Sequence, residues 1–158
     1  MGSAVSTEAK DVFKNTTEVV ARTESSMSLF GRKNEVISQL LALANECSTD
    51  GWDGGEAMAL NRDAVRNVEA FIRAIPDDFP LPDVAPEPDG SVSLDWIRSR
   101  HRMFSMSVGS SNKIAYARMN GASRDHGVFS FDYVSIPQGV LVNIMEVMGN
   151  GITSFRVA

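Results

Sequence analysis

The sequence predicts one α+β domain, in which an antiparallel meander of four to five strands is covered on one face by helices. Apolar residues recur every three or four positions over residues 33–47, 62–75 and the stretch that follows Pro137, a spacing typical of amphipathic helices. Between residues 91 and 133 the apolar period changes to two, which is typical of half-buried strands. Short loops between such strands require antiparallel neighbours, and helices grouped before and after the run indicate an α+β order.

Local signals set the ends of the predicted helices. Asn61 precedes the second helix as a good N-cap, and Pro76 stops that helix. Pro137 stands in the first turn of the third helix, and Gly149 follows its last apolar residue as a C-terminal cap.

The predicted strands are joined by recognisable turns and loops. Gly109 to Asn112 predicts a hairpin loop, and Asn120 to Gly127 is expected to be a longer loop. Residues 76–90, which are rich in proline and acids, predict an extended connection with a turn at Pro88-Asp89-Gly90. The predicted strands themselves cover residues 91–96, 103–108, 114–119 and 128–133.

Both ends of the chain differ from its middle. Residues 1–31 are rich in serine and threonine and predict an N-terminal arm, so the predicted domain covers residues 32–158. Ile152 to Val157 predicts a short last strand.

Composition excludes several classes of protein. The chain has 158 residues, of which 43% are hydrophobic and 22% charged, so it is neither disordered nor a coiled coil. A net charge of −5 argues against a general nucleic-acid coat or an anionic-membrane binder. One cysteine, Cys47, forbids an intramolecular disulfide and indicates a reducing compartment. We therefore expect a cytoplasmic protein with no membrane segment and no direct contact with nucleic acid.

Charge is segregated along the chain. Residues 50–96, called the acidic segment below, hold eleven acids and three arginines, a net charge of −8, whereas residues 97–118 hold five bases and no acid. Such a surface is either ordinary solvated surface or one that steers a protein partner. Under the second hypothesis the partner-binding residues are Asp53, Glu56, Asp77, Asp78, Asp83, Glu87, Asp89, Arg98, Arg100 and Arg102.

The glycine-rich loop Gly51-Trp52-Asp53-Gly54-Gly55-Glu56 is the strongest candidate for small-molecule binding. Glycine lets backbone amides turn toward an anion, but the spacing matches neither a Walker A loop nor a dinucleotide fingerprint. The alternatives are that Asp53 caps a local turn while Trp52 packs on the core, or that the loop and His126 form a binding or hydrolytic site.

Other chemistry is poorly supported by the sequence. The histidines, His101 and His126, lack metal-ligand spacing, so no metal and no cofactor are expected. Cys47 ends a helix, where the helix dipole has the wrong sign to stabilise a thiolate. We therefore expect Cys47 to be a core or boundary residue. The basic residues around His101 lie between Trp96 and Phe104, so a protein contact or a phosphate-binding patch for nucleic acid is an alternative to a solvated turn.

Several of these segments together resemble a group of small bacterial and mobile-element proteins with no assigned activity. The matching pieces are the Trp52-Asp53-Gly54 loop, helix 62–75, residues 82–96, the hairpin from Phe104 to Tyr116, and His126-Gly127. The resemblance covers roughly residues 36–148, but Gly51 stands where the group has asparagine. It implies a stand-alone domain that pairs with another protein, and it identifies no catalytic residue.

The sequence therefore predicts a non-enzymatic protein that binds a protein partner through its acidic surface. Antitoxins, immunity-type inhibitors and phage anti-defence proteins are classes that fit, and the partner surface would be basic, such as a nucleic-acid groove. Two alternatives stay open: a small-molecule binder or hydrolytic enzyme at loop 51–56 with His126, and a homo-oligomer that uses the arm or the strand edge at residues 152–157.

Overall fold

A computed structural model describes residues 31–149 as three helices and a five-stranded antiparallel sheet. The strand order β1-β2-β3-β4-β5 follows the chain, which confirms the predicted α+β fold with a strand meander. The elements are α1 (31–46), α2 (Arg62–Ala74), β1 (Asp83–Pro86), β2 (Val92–Ser99), β3 (Arg102–Val108), β4 (Lys113–Asn120), β5 (Ser123–Ser130) and α3 (Gln138–Met148).

The core lies between one face of the sheet and the helices. Alternate residues of β2 and β3 are buried, and they pack with the apolar faces of the helices in a single cluster. The ring of Phe71 on α2 meets the rings of Trp96 and Phe131 edge-on, with centroids 6.4 and 5.3 Å apart. The alternation seen in the sequence therefore separates a buried inner face of the sheet from an outer face.

The predicted caps Asn61 and Gly149 are confirmed, whereas Pro137, predicted in the first turn of the third helix, precedes α3 as its N-cap. Asn61 Oδ1 accepts hydrogen bonds from the amides of Asp63 at 2.8 Å and Ala64 at 3.3 Å, as an N-cap does. Gly149 takes the left-handed conformation at the end of α3, with φ of 59°.

The loop predicted from Asn120 to Gly127 is wrong, because β4 continues to Asn120 and β5 begins at Ser123. A turn of two residues joins them, and its first residue, Gly121, has φ of +64°. The prediction failed because β5 is an edge strand whose side chains are all exposed or half-buried, so no apolar alternation marks its first half. The predicted strand over residues 128–133 likewise ends earlier, at Ser130.

A strand that the sequence did not predict lies in the connection before the meander. Asp83–Pro86 pairs with β2 as β1, with Asp83 opposite Asp95 and Pro86 opposite Val92. The prolines of this connection argue against a strand. Pro86, however, is the last residue of an edge strand, where the lack of a backbone N–H does not disrupt the sheet. The turn predicted at residues 88–90 is confirmed, with Gly90 at φ of 89°.

Two predictions fall where the structure gives no description. The predicted N-terminal arm, apart from residue 31, and the predicted strand at residues 152–157 lie outside the described residues. Within residues 31–149, no helix has the length and apolar character needed to cross a bilayer.

Candidate functional site

The glycine-rich loop between α1 and α2 is closed by its own backbone. The Gly51 amide donates to the Ala57 carbonyl at 2.6 Å, and the Ala59 amide donates to Asp50 Oδ1 at 2.8 Å. Gly51 and Gly54 have φ of 79° and 81°, values that side-chain-bearing residues rarely adopt. The glycines thus serve a tight turn.

Asp53 and Trp52 support this loop from within. Asp53 Oδ1 accepts from the amides of Gly55 at 2.8 Å and Ala57 at 3.3 Å. Trp52 is half-buried against the core, and its indole Nε1 donates to the Met58 carbonyl at 2.8 Å. Of the two alternatives from the sequence, this geometry favours the structural one, because the amides that would receive an anion already face Asp53.

The loop is also tied to the β1–β2 turn. The Met58 amide donates to the Pro88 carbonyl and the Asn61 amide to the Gly90 carbonyl, both at 2.8 Å. A Cβ on Gly90 would lie 3.0 Å from the Ala59 carbonyl oxygen. These contacts hold two parts of the acidic segment in a fixed relation.

Members of the acidic segment differ in what their carboxylates do. Glu87 Oε2 accepts from the hydroxyls of Ser91 and Ser107, each at 2.7 Å, and Asp89 accepts from Ser91. By contrast, the carboxylates of Glu56, Asp78 and Asp83 are exposed and make no hydrogen bond or ion pair with any described residue. Asp77 is exposed beside Asp78 in the α2–β1 connection.

A second group of polar residues lies on the outer face of the sheet and was not picked out from the sequence. Asp95 accepts hydrogen bonds from the hydroxyls of Ser93, at 2.9 Å, and Ser105. The strand alternation that buries Trp96 predicts this outward placement, but the partner on β3 depends on the register, which a single sequence does not supply.

The predicted basic residues fall into two sets. Arg98 and Arg100 are exposed at the β2–β3 turn. Arg102 is instead half-buried and donates to the Glu146 carbonyl at 2.7 Å, so it fastens α3 to the sheet. Arg118 does the same, reaching Asn143 Oδ1 at 3.0 Å and Glu146 Oε2 at 2.5 Å.

The aromatic residues beside the basic turn are not available for stacking. Trp96 and Phe104 are 1% and 0% exposed, inside the core. A nucleic-acid base cannot reach either ring, so a phosphate-binding patch at this turn would lack the flanking aromatic residues on which bases stack.

The candidate reactive groups do not come together. His126 is exposed on β5, and no hydrogen bond or ion pair joins it to Asp53 in the described part of the chain. Cys47 is 4% exposed, and its burial, helped by Glu46, raises the pKa of the thiol. Among residues 31–149 no three histidine, cysteine or acidic side chains are grouped as metal ligands would be.

Two carboxylates are held ionised by local hydrogen bonds. The Ser91 hydroxyl and amide lower the pKa of Asp89. The amides of Ser135 and Val134 lower the pKa of Asp132, at 2.8 and 2.9 Å from its Oδ1. Both groups cap turns, and this structural use accounts for their pKa shifts.

Comparison with known proteins adds no further constraint on this surface. No family model matches the chain, and neither a curated protein nor a solved structure is found to be similar to it.

Proposed function

We propose that this protein is a non-enzymatic binding protein that occupies a basic surface of a protein partner. The observation that carries the proposal is the pair of exposed loop carboxylates Glu56 and Asp78, which the fold does not use in its own hydrogen bonds. They belong to a segment with a net charge of −8. Unpaired surface carboxylates keep their long-range field, which raises the rate of encounter with a basic partner.

The contact is carried by the exposed acids of the loops, Glu56, Asp77 and Asp78, while Arg98 and Arg100 repel the same partner from the β2–β3 turn. Opposite charges on one molecule fix the orientation of the encounter as well as its rate. Antitoxins, immunity proteins and anti-defence proteins act by occupying a target in this way, and the proposal places this chain in that class, in the cytoplasm.

Asp53, Glu87 and Asp89 have a smaller part in this proposal than the sequence assigned to them. Their carboxylates already accept hydrogen bonds from the loop amides or from serine hydroxyls. A partner that drew them outward would have to break those bonds. They therefore shape the surface rather than carry the contact.

A matched pair of double variants tests the proposal. Glu56→Lys/Asp78→Lys changes two exposed acids of the acidic segment, and Glu35→Lys/Glu46→Lys makes the same change of charge on two exposed residues of α1. The partner is first captured from host lysate with the unmodified chain and purified. Its affinity for all three proteins is then measured at about 0.1 M and about 1 M salt, where the Debye length is roughly 10 and 3 Å.

We expect the Glu56/Asp78 variant to bind at least about 10-fold more weakly at low salt, and to lose most of the salt dependence. The α1 variant should bind as the unmodified chain does. Equal affinities for all three proteins would show that the acidic segment is not the contact, and the proposal would be abandoned.

A further inference from the structure

The outer face of the sheet, called the open face below, is built from small and apolar residues with charge at its two edges. No described helix packs on it, since the helices contact the inner face with its buried aromatic residues. The residues of the open face are Asp83 and Ala85 on β1, Ser93, Asp95 and Ile97 on β2, Met103, Ser105 and Ser107 on β3, Lys113, Ala115, Ala117 and Met119 on β4, and Arg124, His126, Val128 and Ser130 on β5.

Apolar side chains on this face are unusually exposed. Ile97 is 57% exposed and Val128 is 63% exposed. Ile97 is paired with Met103, and Met103 with Met119, so three apolar side chains cross neighbouring strands in one row. Beside that row the centre of the face carries alanine and serine, which allow another surface to approach closely.

Acidic and basic residues lie on opposite sides of the open face. The acids Asp83 and Asp95 lie on β1 and β2, and Glu87, which follows β1, accepts a hydrogen bond from Ser107 on this face. The basic residues lie on the other side of the sheet, with Lys113 on β4 and Arg124 and His126 on the edge strand β5. Asp83 and Asp95 are directly opposite each other across the β1–β2 pair. Like charges in that position are destabilising, and Asp83 has no partner among the described residues that would relieve the repulsion.

A second copy of the chain can supply an apolar cover for this face and basic residues opposite its acidic edge. When two copies are packed face to face about a two-fold axis that runs along β3, β1 of one copy lies over β5 of the other. The acidic edge then faces the basic edge twice, once at each end, with Asp83 level with His126 of the other copy and Arg124 two residues away along β5. The same axis superposes Ile97 on Met119 and Met103 on its own counterpart, so apolar residues meet apolar residues.

The other symmetric arrangement is disfavoured by charge. An axis that crosses the strands would place each edge strand over its own copy, so the acidic edge would face an acidic edge. Electrostatics therefore selects the axis along β3, and the two sheets would pack about 10 Å apart with their strands nearly aligned, as in a β-sandwich.

The face is large enough for a stable dimer. The five strands contain 35 residues. At about 3.4 Å per residue and about 4.8 Å between strands, the face has a projected area of about 570 Å² per copy. Specific interfaces bury about 800 Å² per partner, and side-chain relief makes the accessible area larger than the projected one.

We infer that a second copy of this chain packs on the open face, and that the protein is a face-to-face dimer with paired sheets. This inference goes beyond the proposed function and uses neither Glu56 nor Asp78. The dimer leaves those loop carboxylates free, so it would present two acidic contact sites to the partner rather than one.

Two arginine variants test where the copies meet. Ala117→Arg puts a long charged side chain at the centre of the open face, and Ala42→Arg makes the same change on the exposed side of α1. Sedimentation equilibrium from about 1 to about 500 μM gives the dissociation constant of each, and circular dichroism checks that each is folded. We expect the unmodified chain and Ala42→Arg to dimerise, and Ala117→Arg to associate at least about 100-fold more weakly.

Charge reversal tests the direction of the axis without a bulky residue. Asp83→Lys and Arg124→Asp should each weaken the homodimer, because like charges then meet at both ends. An equimolar mixture of the two variants should recover the dimer, since every charged contact in the mixed dimer joins opposite signs.

A monomer at every concentration would overturn the inference. So would a dimer that Ala117→Arg leaves intact, which would indicate pairing along a strand edge, and so would a mixture of the two charge variants that associates no better than either alone. Loss of partner binding by Glu56→Lys/Asp78→Lys in a chain that still dimerises separates this inference from the proposed function.

Discussion

Asn67 on α2 is expected to hold the β3–β4 hairpin loop in place, and its removal gives the sharpest test of the packing. Asn67 is 9% exposed, and its side-chain Nδ2 donates to the carbonyls of Gly109 at 2.9 Å and Ser111 at 3.2 Å. We propose the variant Asn67→Leu, which keeps a similar volume and removes both donors.

The expected loss in the free energy of unfolding follows from those two hydrogen bonds. A hydrogen bond contributes about 1 kcal/mol net, and leaving a buried carbonyl unpaired costs about 1–3 kcal/mol. Ser111 is exposed and its carbonyl can be hydrated, whereas Gly109 is half-buried. The expected loss is therefore about 2 kcal/mol, which for a domain of this size lowers Tm by roughly 6 °C.

Urea unfolding monitored by tryptophan fluorescence gives the free energy of unfolding for each protein. Asn45→Leu is the matched control, because Asn45 is exposed on α1 and the same substitution there should change stability by less than about 0.5 kcal/mol. If Asn67→Leu proved as stable as the unmodified chain, the reasoning that these two bonds hold the hairpin loop would be refuted.

Three further predictions concern the core, the acid range and the thiol. Phe71→Ala, at a site with 0% exposure, should cost about 3–5 kcal/mol in urea unfolding, and a loss below about 1 kcal/mol would contradict the observed packing on Trp96. Because the pKa of Asp132 is lowered below its ordinary value of 3.8, its ionised form stabilises the fold above that pH and the contribution is lost as pH falls below it. Asp132→Asn should therefore be less stable than the unmodified chain at pH 6, with a difference that shrinks toward pH 2 in thermal melts; a constant difference would refute this. Cys47, whose thiol pKa is raised by burial, should react with a thiol reagent at pH 8 only as fast as the protein opens, and rapid labelling of the native chain would contradict its burial.

The sequence predicted the elements whose two faces differ strongly in polarity. In β2, Val92, Leu94 and Trp96 alternate with polar residues, and the structure buries all three. The edge strands β1 and β5 were missed or misplaced because they contribute little to the core, so nothing in their composition records which side faces inward.

The net charge of the candidate surface was predictable from the sequence, but the hydrogen bonds of its individual carboxylates were not. The sequence counts showed a net charge of −8 in the acidic segment. They could not show that Asp53 and Glu87 accept hydrogen bonds within the fold while Glu56 does not, because those bonds depend on loop conformation and strand register. Arg102 is a similar case, since its contact with Glu146 joins residues far apart in the chain.

The order of the strands has a consequence for synthesis of the chain. Every strand pairs with its neighbour in sequence, so each hairpin can close as soon as it leaves the ribosome. Phe71 and the rest of the apolar face of α2, however, are made before Trp96 and Phe131, the rings on which Phe71 packs. During that interval the apolar face of α2 is exposed on the nascent chain and can bind a chaperone. This exposure ends when the meander has been synthesised and packs on the helix.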